Sequence, residues 1–242
     1  MTQESKQPHP IGLHFVHATH SEQTGMARWR AQQRLGIGVF LLATTAFLAL
    51  ASQIVWHGPV TLFDTWLARW LQAHAGPGLT EVLLEISRMH APAGIAVLAS
   101  GMAVYLALKR DHYWLMAVLL TIPAGMALNA LLKLAFQRPR PLLEHSLMTL
   151  ASYGFPSGHA AYSTMLYGLL AAYVAHRVDH WRWRLASVLA CAAVVALVGF
   201  SRLYLGAHYL SDVLAGMLEG IAWLALVWTM VTSLRHRRPV LS

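Results

Sequence analysis

Six apolar stretches punctuate the chain, each framed by short polar segments: Leu35 to Trp56, Pro92 to Leu108, Tyr113 to Leu132, Ala160 to Ala175, Leu185 to Phe200 and Val213 to Val231. A helix that crosses a bilayer needs roughly 20 residues. The first stretch meets that requirement unaided. The fourth and fifth, 16 residues each, meet it only if the flanking polar segments continue the helix. Between the first two stretches, Leu62, Phe63, Trp66, Leu67, Trp70 and Leu71 recur at helical spacing. Gly76-Pro77-Gly78 interrupts the pattern, and Leu79, Val82, Leu83 and Ile86 resume it. This predicts two short helices lying in the membrane interface. Thr61 followed by Asp64 resembles a capping box at the start of the first. The expected fold is all-α, an integral membrane bundle of six transmembrane helices with short interfacial helices on the outer face. Residues 1–34 read as a mobile polar tail, 35–234 as the six-span domain and 235–242 as a basic tail.

Composition agrees with a membrane protein. The 242 residues are 57% apolar and only 12% charged, with a mean hydropathy of +0.48; a soluble domain carries about 25% charge. A net charge of +8 could point to nucleic acid. The basic residues sit instead in short loops between apolar runs, with no basic face interleaved with aromatics, which excludes a nucleic-acid partner. Their distribution sets orientation. Lys6, Arg28, Arg30, Arg34, Lys109, Arg110, Arg177, Arg182, Arg184, Arg235, Arg237 and Arg238 fall on one side of a six-span layout, and Arg69, Arg88, Lys133, Arg138, Arg140 and Arg202 on the other. The positive-inside rule then places both termini in the cytoplasm. In a bacterium the outer side is the periplasmic face of the inner membrane, which is the expected location. Trp181 and Trp183 beside Arg182 and Arg184 read as an inner-interface anchor. The single cysteine, Cys191, cannot form an intrachain disulfide. His9, His14, His17 and His20 are joined by no acid or cysteine of a metal site, so they belong to the tail.

Three polar clusters lie at the edges of the apolar runs, all on the outer side. The first is Lys133 with Arg140-Pro141. Arg138-Pro139 precedes it, and two X-Pro steps make the stretch extended and stiff. Stiffness suits an arginine that presents its fork to phosphate oxygens in one geometry; Arg140 is the choice and Arg138 the reserve. The second is Pro156-Ser157-Gly158-His159 at the start of the fourth run. Ser157 is placed as an N-cap, Gly158 removes a side chain that would block a ligand, and a helix N-terminus favours an anion. The third is Ser201-Arg202 with His208 and Asp212. Four apart on a helix, His208 and Asp212 would share a face, and the carboxylate would fix the imidazole tautomer and leave the other nitrogen free to attack. Two further polar residues lie within spans. Asn129, one turn before Lys133, could brace it, and Glu219 suits a structural hydrogen bond or a supporting role.

The combined spacing, Lys133 to Arg140-Pro141, then Pro156-Ser157-Gly158-His159, then Ser201-Arg202, His208 and Asp212, resembles the type 2 phosphatidic acid phosphatase superfamily over roughly residues 60 to 234. All three signature motifs match without a departure. The resemblance implies a metal-independent lipid phosphatase that needs no cofactor. It implies that His208 forms a phosphohistidine, that Asp212 orients it, and that His159 protonates the leaving oxygen and later activates water. Lys133, Arg140, Ser157, Gly158 and Arg202 would hold the phosphoryl group. The partners would be the bilayer and a membrane lipid phosphate, with undecaprenyl diphosphate leading and phosphatidic acid, phosphatidylglycerol phosphate or lipid A phosphates as alternatives. A lipid phosphotransferase would use the same site. A vanadate-dependent haloperoxidase shares the anion cradle, but those relatives are soluble. A non-catalytic lipid-binding protein would not be expected to keep the whole set of side chains. Headgroup choice is expected to lie in the interfacial helices and in Glu144-His145.

Overall fold

Proline and glycine decide where several helices begin. Pro59, Pro77 and Pro92 each occupy the first helical turn, where the missing N–H costs nothing and the fixed φ suits the helix. The computed structural model describes residues 12–141 and 152–237, with side chains over 24–141 and 152–236. The described residues form eight helices: α1 (Gly12–Val55), α2 (Pro59–Ala73), α3 (Pro77–Met89), α4 (Pro92–Leu108), α5 (His112–Phe136), α6 (Gly158–Arg177), α7 (Trp181–Tyr204) and α8 (Leu210–Arg237). The all-α expectation is met, and each of the six apolar stretches lies within one helix or extends it by a residue.

Helical structure runs past the expected six-span segment at both ends. Helix α1 begins inside the segment read as a tail, and α8 runs to Arg237. His9, the side chains of His14, His17 and His20, and Glu144-His145 lie outside the described residues. Among the described residues four helices are long and apolar enough to cross a membrane: Thr24–Val55 of α1, α5, α7 and residues 210–236 of α8. A fifth is obtained if α3 and α4, bent by 54° at their junction, form one span. Helix α6 is of another kind. It is enclosed by its neighbours, with every residue from Ala160 to Leu166 buried, so it carries Tyr162, Ser163 and Thr164 toward protein rather than lipid.

Helices α2 and α3 form where the periodicity predicts them, and α2 turns most of its apolar stripe outward. Its buried residues are Asp64, Ala68 and Leu71, while Leu62, Phe63, Trp66 and Trp70 are exposed. Asp64 does not cap the helix. Gly58 is the N-cap, and Thr61 turns its hydroxyl back to the Gly58 carbonyl.

Close approach of α8 to α6 holds the centre. A Cβ on Gly216 would lie 2.4 Å from the Ser157 carbonyl oxygen. Without a hydrophobic driving force in lipid, small residues that let backbones meet are what helix packing uses. Helix α1 closes against α8, with Phe47, Ala51 and Ile54 packed around Phe155 and Ala215 and Gln33 Nε2 donating to Thr232 Oγ1 at 2.7 Å.

Candidate active site

The turn between α7 and α8 brings the third cluster together. Helix α7 ends at Tyr204, and Gly206 takes φ +66°, a left-handed conformation that favours glycine. The chain folds back so that the Arg202 carbonyl accepts the N–H groups of Ala207 at 3.0 Å and His208 at 3.2 Å. The five-residue gap in the motif is therefore one tight turn. His208 and Asp212 do not share a helix face, as their spacing suggested, because α8 begins only at Leu210. Asp212 reaches back over the helix start instead. Its Oδ2 accepts the Tyr209 N–H at 2.9 Å, as an acid in the first turn of a helix does, and lies 3.5 Å from His208 Nδ1. Both side chains are buried.

The first cluster arrives from the end of α5. Gln137 adopts φ 46° and stops the helix, and the two X-Pro steps carry Arg140 across to the turn. Arg140 Nη1 donates to the Ala207 carbonyl at 2.7 Å and lies 3.1 Å from His208 Nε2. Its Nε donates to the Ser152 carbonyl at 2.7 Å. Lys133 Nζ donates to the Tyr153 carbonyl at 2.8 Å, which Arg140 Nη2 also meets at 3.4 Å. A guanidinium can only donate, so Nε2 is the accepting, unprotonated nitrogen. The ring proton is then on Nδ1, on the side of Asp212. Arg140, not Arg138, stands beside His208.

The second cluster opens α6. Ser157 occupies the N-cap, but its side chain makes no capping bond. Its N–H donates to the Asp212 carbonyl at 2.9 Å, which ties α6 to α8. Gly158 does more than leave room for a ligand: a Cβ there would meet Asn129 Oδ1 and the Tyr162 ring at 3.1 Å. His159 hydrogen-bonds the Ser87 backbone, and Arg202 Nη1 donates to the Ser87 hydroxyl. Ser87, on α3, thus joins Arg202 to His159.

Burial first, and then the charges of Arg140, Arg202 and Lys133, hold the His208 imidazole well below its ordinary value. The ring is therefore neutral across the physiological range. Burial alone would lower the Arg138 guanidinium, but Asp212 and Asp64 raise it above its usual value and keep it charged.

The sequence reading took Asp64 only for a capping residue and did not single out Ser87. The available signal was positional: each polar residue shares a helix face with apolar neighbours one turn away, Asp64 with Ala68 and Ser87 with Leu83. Asn129 makes no hydrogen bond to Lys133. Its Nδ2 donates to Glu219 Oε2 at 2.8 Å and its Oδ1 accepts from the Tyr162 hydroxyl at 3.1 Å, so Glu219 does make a buried hydrogen bond. Among the described residues no group of three or more His, Cys, Asp and Glu side chains is placed to hold a metal ion.

Comparison with known proteins adds to this geometry. The model of the PAP2 superfamily matches residues 114–235. A phosphatidylglycerophosphatase B from Bacillus subtilis (strain 168) is 31% identical over 156 residues, spanning 62% of this chain and 74% of the relative. Dolichyldiphosphatase 1 from Homo sapiens is 34% identical over 129 residues, covering 47% of this chain and 54% of its own length. Among solved structures, a transmembrane PAP2 type phosphatidylglycerolphosphate phosphatase from Bacillus subtilis superposes with a TM-score of 0.62 at 24% identity, over 86% of this chain and 98% of the other. Aquifex aeolicus LpxE does so with a TM-score of 0.53 at 22% identity, over 66% and 92%. At these identities the two structures establish a shared fold.

Proposed function

The chain belongs to the PAP2 superfamily, and from that premise we propose that it is a membrane lipid phosphatase working through a phosphohistidine at His208. The observation that carries the reading is the pair of contacts on that imidazole. Arg140 Nη1 stands 3.1 Å from Nε2 and Asp212 Oδ2 stands 3.5 Å from Nδ1. One nitrogen is held unprotonated beside a phosphate-binding cation, and the other faces a carboxylate that stabilises positive charge on the ring. A pair of this kind tightens as the reacting complex forms.

In the first step the Nε2 lone pair attacks phosphorus and the P–O bond to the lipid breaks. His159 gives its proton to the departing oxygen. In the second, His159 takes a proton from water, the hydroxide oxygen attacks phosphorus, and the P–N bond breaks to release inorganic phosphate. Phosphoryl transfer needs mainly positioning and charge stabilisation. Lys133, Arg140 and Arg202 supply the charge without a divalent metal, and Ser157 and the Gly158 N–H complete the cradle.

Undecaprenyl diphosphate is the leading substrate. Relatives named for phosphatidylglycerophosphate and for dolichyl diphosphate support a lipid phosphate and leave both monoester and diphosphate chemistry within reach. In this reading α6 and the bent α3–α4 pair are counted as crossings, which makes six and leaves both termini on one side; the positive-inside count supports assigning that side to the cytoplasm and the site to the periplasmic face of a bacterial inner membrane. The outward Leu62, Phe63, Trp66 and Trp70 of α2 support an interfacial position for that helix.

The test is phosphate release by the purified protein from a panel of lipid phosphates and diphosphates, beside His208→Ala. The variant should lose more than about a thousandfold in turnover. Residual activity within tenfold of the parent would rule out the nucleophile.

A further inference from the structure

Arg138, to which the phosphate chemistry gives no role, is the centre of a buried network. Its Nη2 donates to Asp64 Oδ2 at 2.9 Å. Its Nη1 donates to Asp212 Oδ1 at 2.6 Å and to the Ser211 hydroxyl at 2.7 Å. Ser211 in turn donates its N–H to Asp64 Oδ1 at 3.0 Å and its hydroxyl to Asp64 Oδ2. The guanidinium lies 4.6 Å over the Tyr209 ring. Asp64, Arg138 and Asp212 are 1%, 9% and 0% exposed. Charges this deep are costly unless paired, so the network's composition has consequences.

From these contacts we propose that Asp64 is a positioning residue for the reaction, acting through Arg138 on Asp212. This inference rests on the proposed function and extends it to a helix that carries none of the motif residues. The guanidinium has two carboxylate partners, and the trio keeps one net negative charge. Because Asp212 Oδ2 lies 3.5 Å from His208 Nδ1, part of that charge faces the imidazole, which gains positive character as the P–N bond forms. Without Asp64, Arg138 would turn its whole charge on Asp212 and weaken the field that the carboxylate exerts on the ring. The geometry adds a second effect. Arg138 occupies Oδ1 and the Tyr209 N–H occupies Oδ2, so the carboxylate cannot rotate away from Nδ1. Asp64 fixes the guanidinium that fixes that rotation. Third members of nucleophile–base sets act in this manner, by orientation and by charge.

The experiment measures kcat, KM and inhibition by inorganic phosphate for the parent, Asp64→Asn, Ser211→Ala, Asp212→Asn and the Asp64→Asn/Asp212→Asn double variant, with short-chain phosphatidic acid in detergent and His208→Ala as the inactive reference. Asp64→Asn should lower kcat by about 10- to 100-fold and move the phosphate inhibition constant less than threefold, because Lys133, Arg140 and Arg202 are untouched. In the Asp212→Asn background the same change should cost less than threefold, since the group it acts on is gone. A merely structural role would lower phosphate binding in step with kcat and would multiply in full in the double variant. Ser211→Ala removes the hydroxyl bridge without orphaning a charge and should lower kcat about three- to tenfold. It decides the matter if Asp64→Asn does not fold, and an unchanged kcat there would then overturn the proposal. So would Asp64→Asn with kcat within twofold of the parent. No hydrolysis by the parent across the substrate panel would sink the proposed function and this inference with it. An active parent, a dead His208→Ala and a fully active Asp64→Asn would sink this inference alone.

Discussion

Gly216→Ala adds a single methyl group at the crossing of α6 and α8. The new Cβ would lie 2.4 Å from the Ser157 carbonyl oxygen and 3.2 Å from both the Ala160 Cβ and the Ala161 nitrogen. Ordinary contact begins at 3.4 Å, so the two helices must separate by about 1 Å. None of the three neighbours is the end of a flexible side chain, so none can swing aside. Overpacking of this kind costs about 1–3 kcal/mol. The activity should suffer more than the stability. Ser157 directly precedes Gly158 and His159, and its N–H is bonded to the Asp212 carbonyl. The displacement therefore falls between His159 on one helix and His208 with Asp212 at the start of the other. A misplacement of about 1 Å costs on the order of a hundredfold in rate. Phosphate release from short-chain phosphatidic acid in detergent should show that loss, with a lowered Tm by intrinsic tryptophan fluorescence. Gly101→Ala on α4, where no atom lies within 4 Å of the new Cβ, should leave turnover unchanged. A Gly216→Ala protein that keeps a third of the parental turnover would refute the reasoning.

Three further outcomes are expected. His208 is held well below the ordinary imidazole value, so it stays unprotonated as the pH falls through 6.5. The acid limb of kcat/KM that reports its protonation should lie below pH 6.5; a limb centred above 7 would contradict the burial argument. Activity should be unaffected by EDTA at constant ionic strength, and loss restored by added Mg²⁺ would overturn a metal-free cradle. Gly206→Val forces a β-branched residue to φ +66°, which costs about 1–2 kcal/mol, whereas Gly206→Asn should cost less; equal thermal stabilities for the two variants would show that the turn relaxes freely.

Much of the site was legible because its residues are locked to chain landmarks. Lys133 and Arg140 flank a helix end and two prolines, Ser157 and Gly158 open a helix, and Arg202, His208 and Asp212 surround one turn. Each motif is local, and its spacing survives folding. The eight helices were legible for a similar reason, since apolar runs and Gly-Pro breaks are read without knowing what packs on what. The supports were not. Asp64 reaches Arg138 across 74 residues, and Ser87 reaches Arg202 across 115. A lone acid or serine in an amphipathic stretch carries no mark of so distant a partner. Periodicity says which residues share a face, and in a bilayer the apolar face can turn to lipid while small and polar residues meet the protein. The His208–Asp212 spacing misled because four residues imply a helix face only if a helix runs through both.

The match to the family model begins at residue 114, yet Asp64 and Ser87 lie before it. A chimera that joins residues 114–235 to the amino-terminal helices of a distant relative would inherit every motif side chain and lose both props beneath them. Its arginines would keep their places in the alignment while Arg138 and Arg202 lost their bonds to α2 and α3. Grafting experiments on this protein should therefore move α2 and α3 together with the motif helices, as one inherited unit.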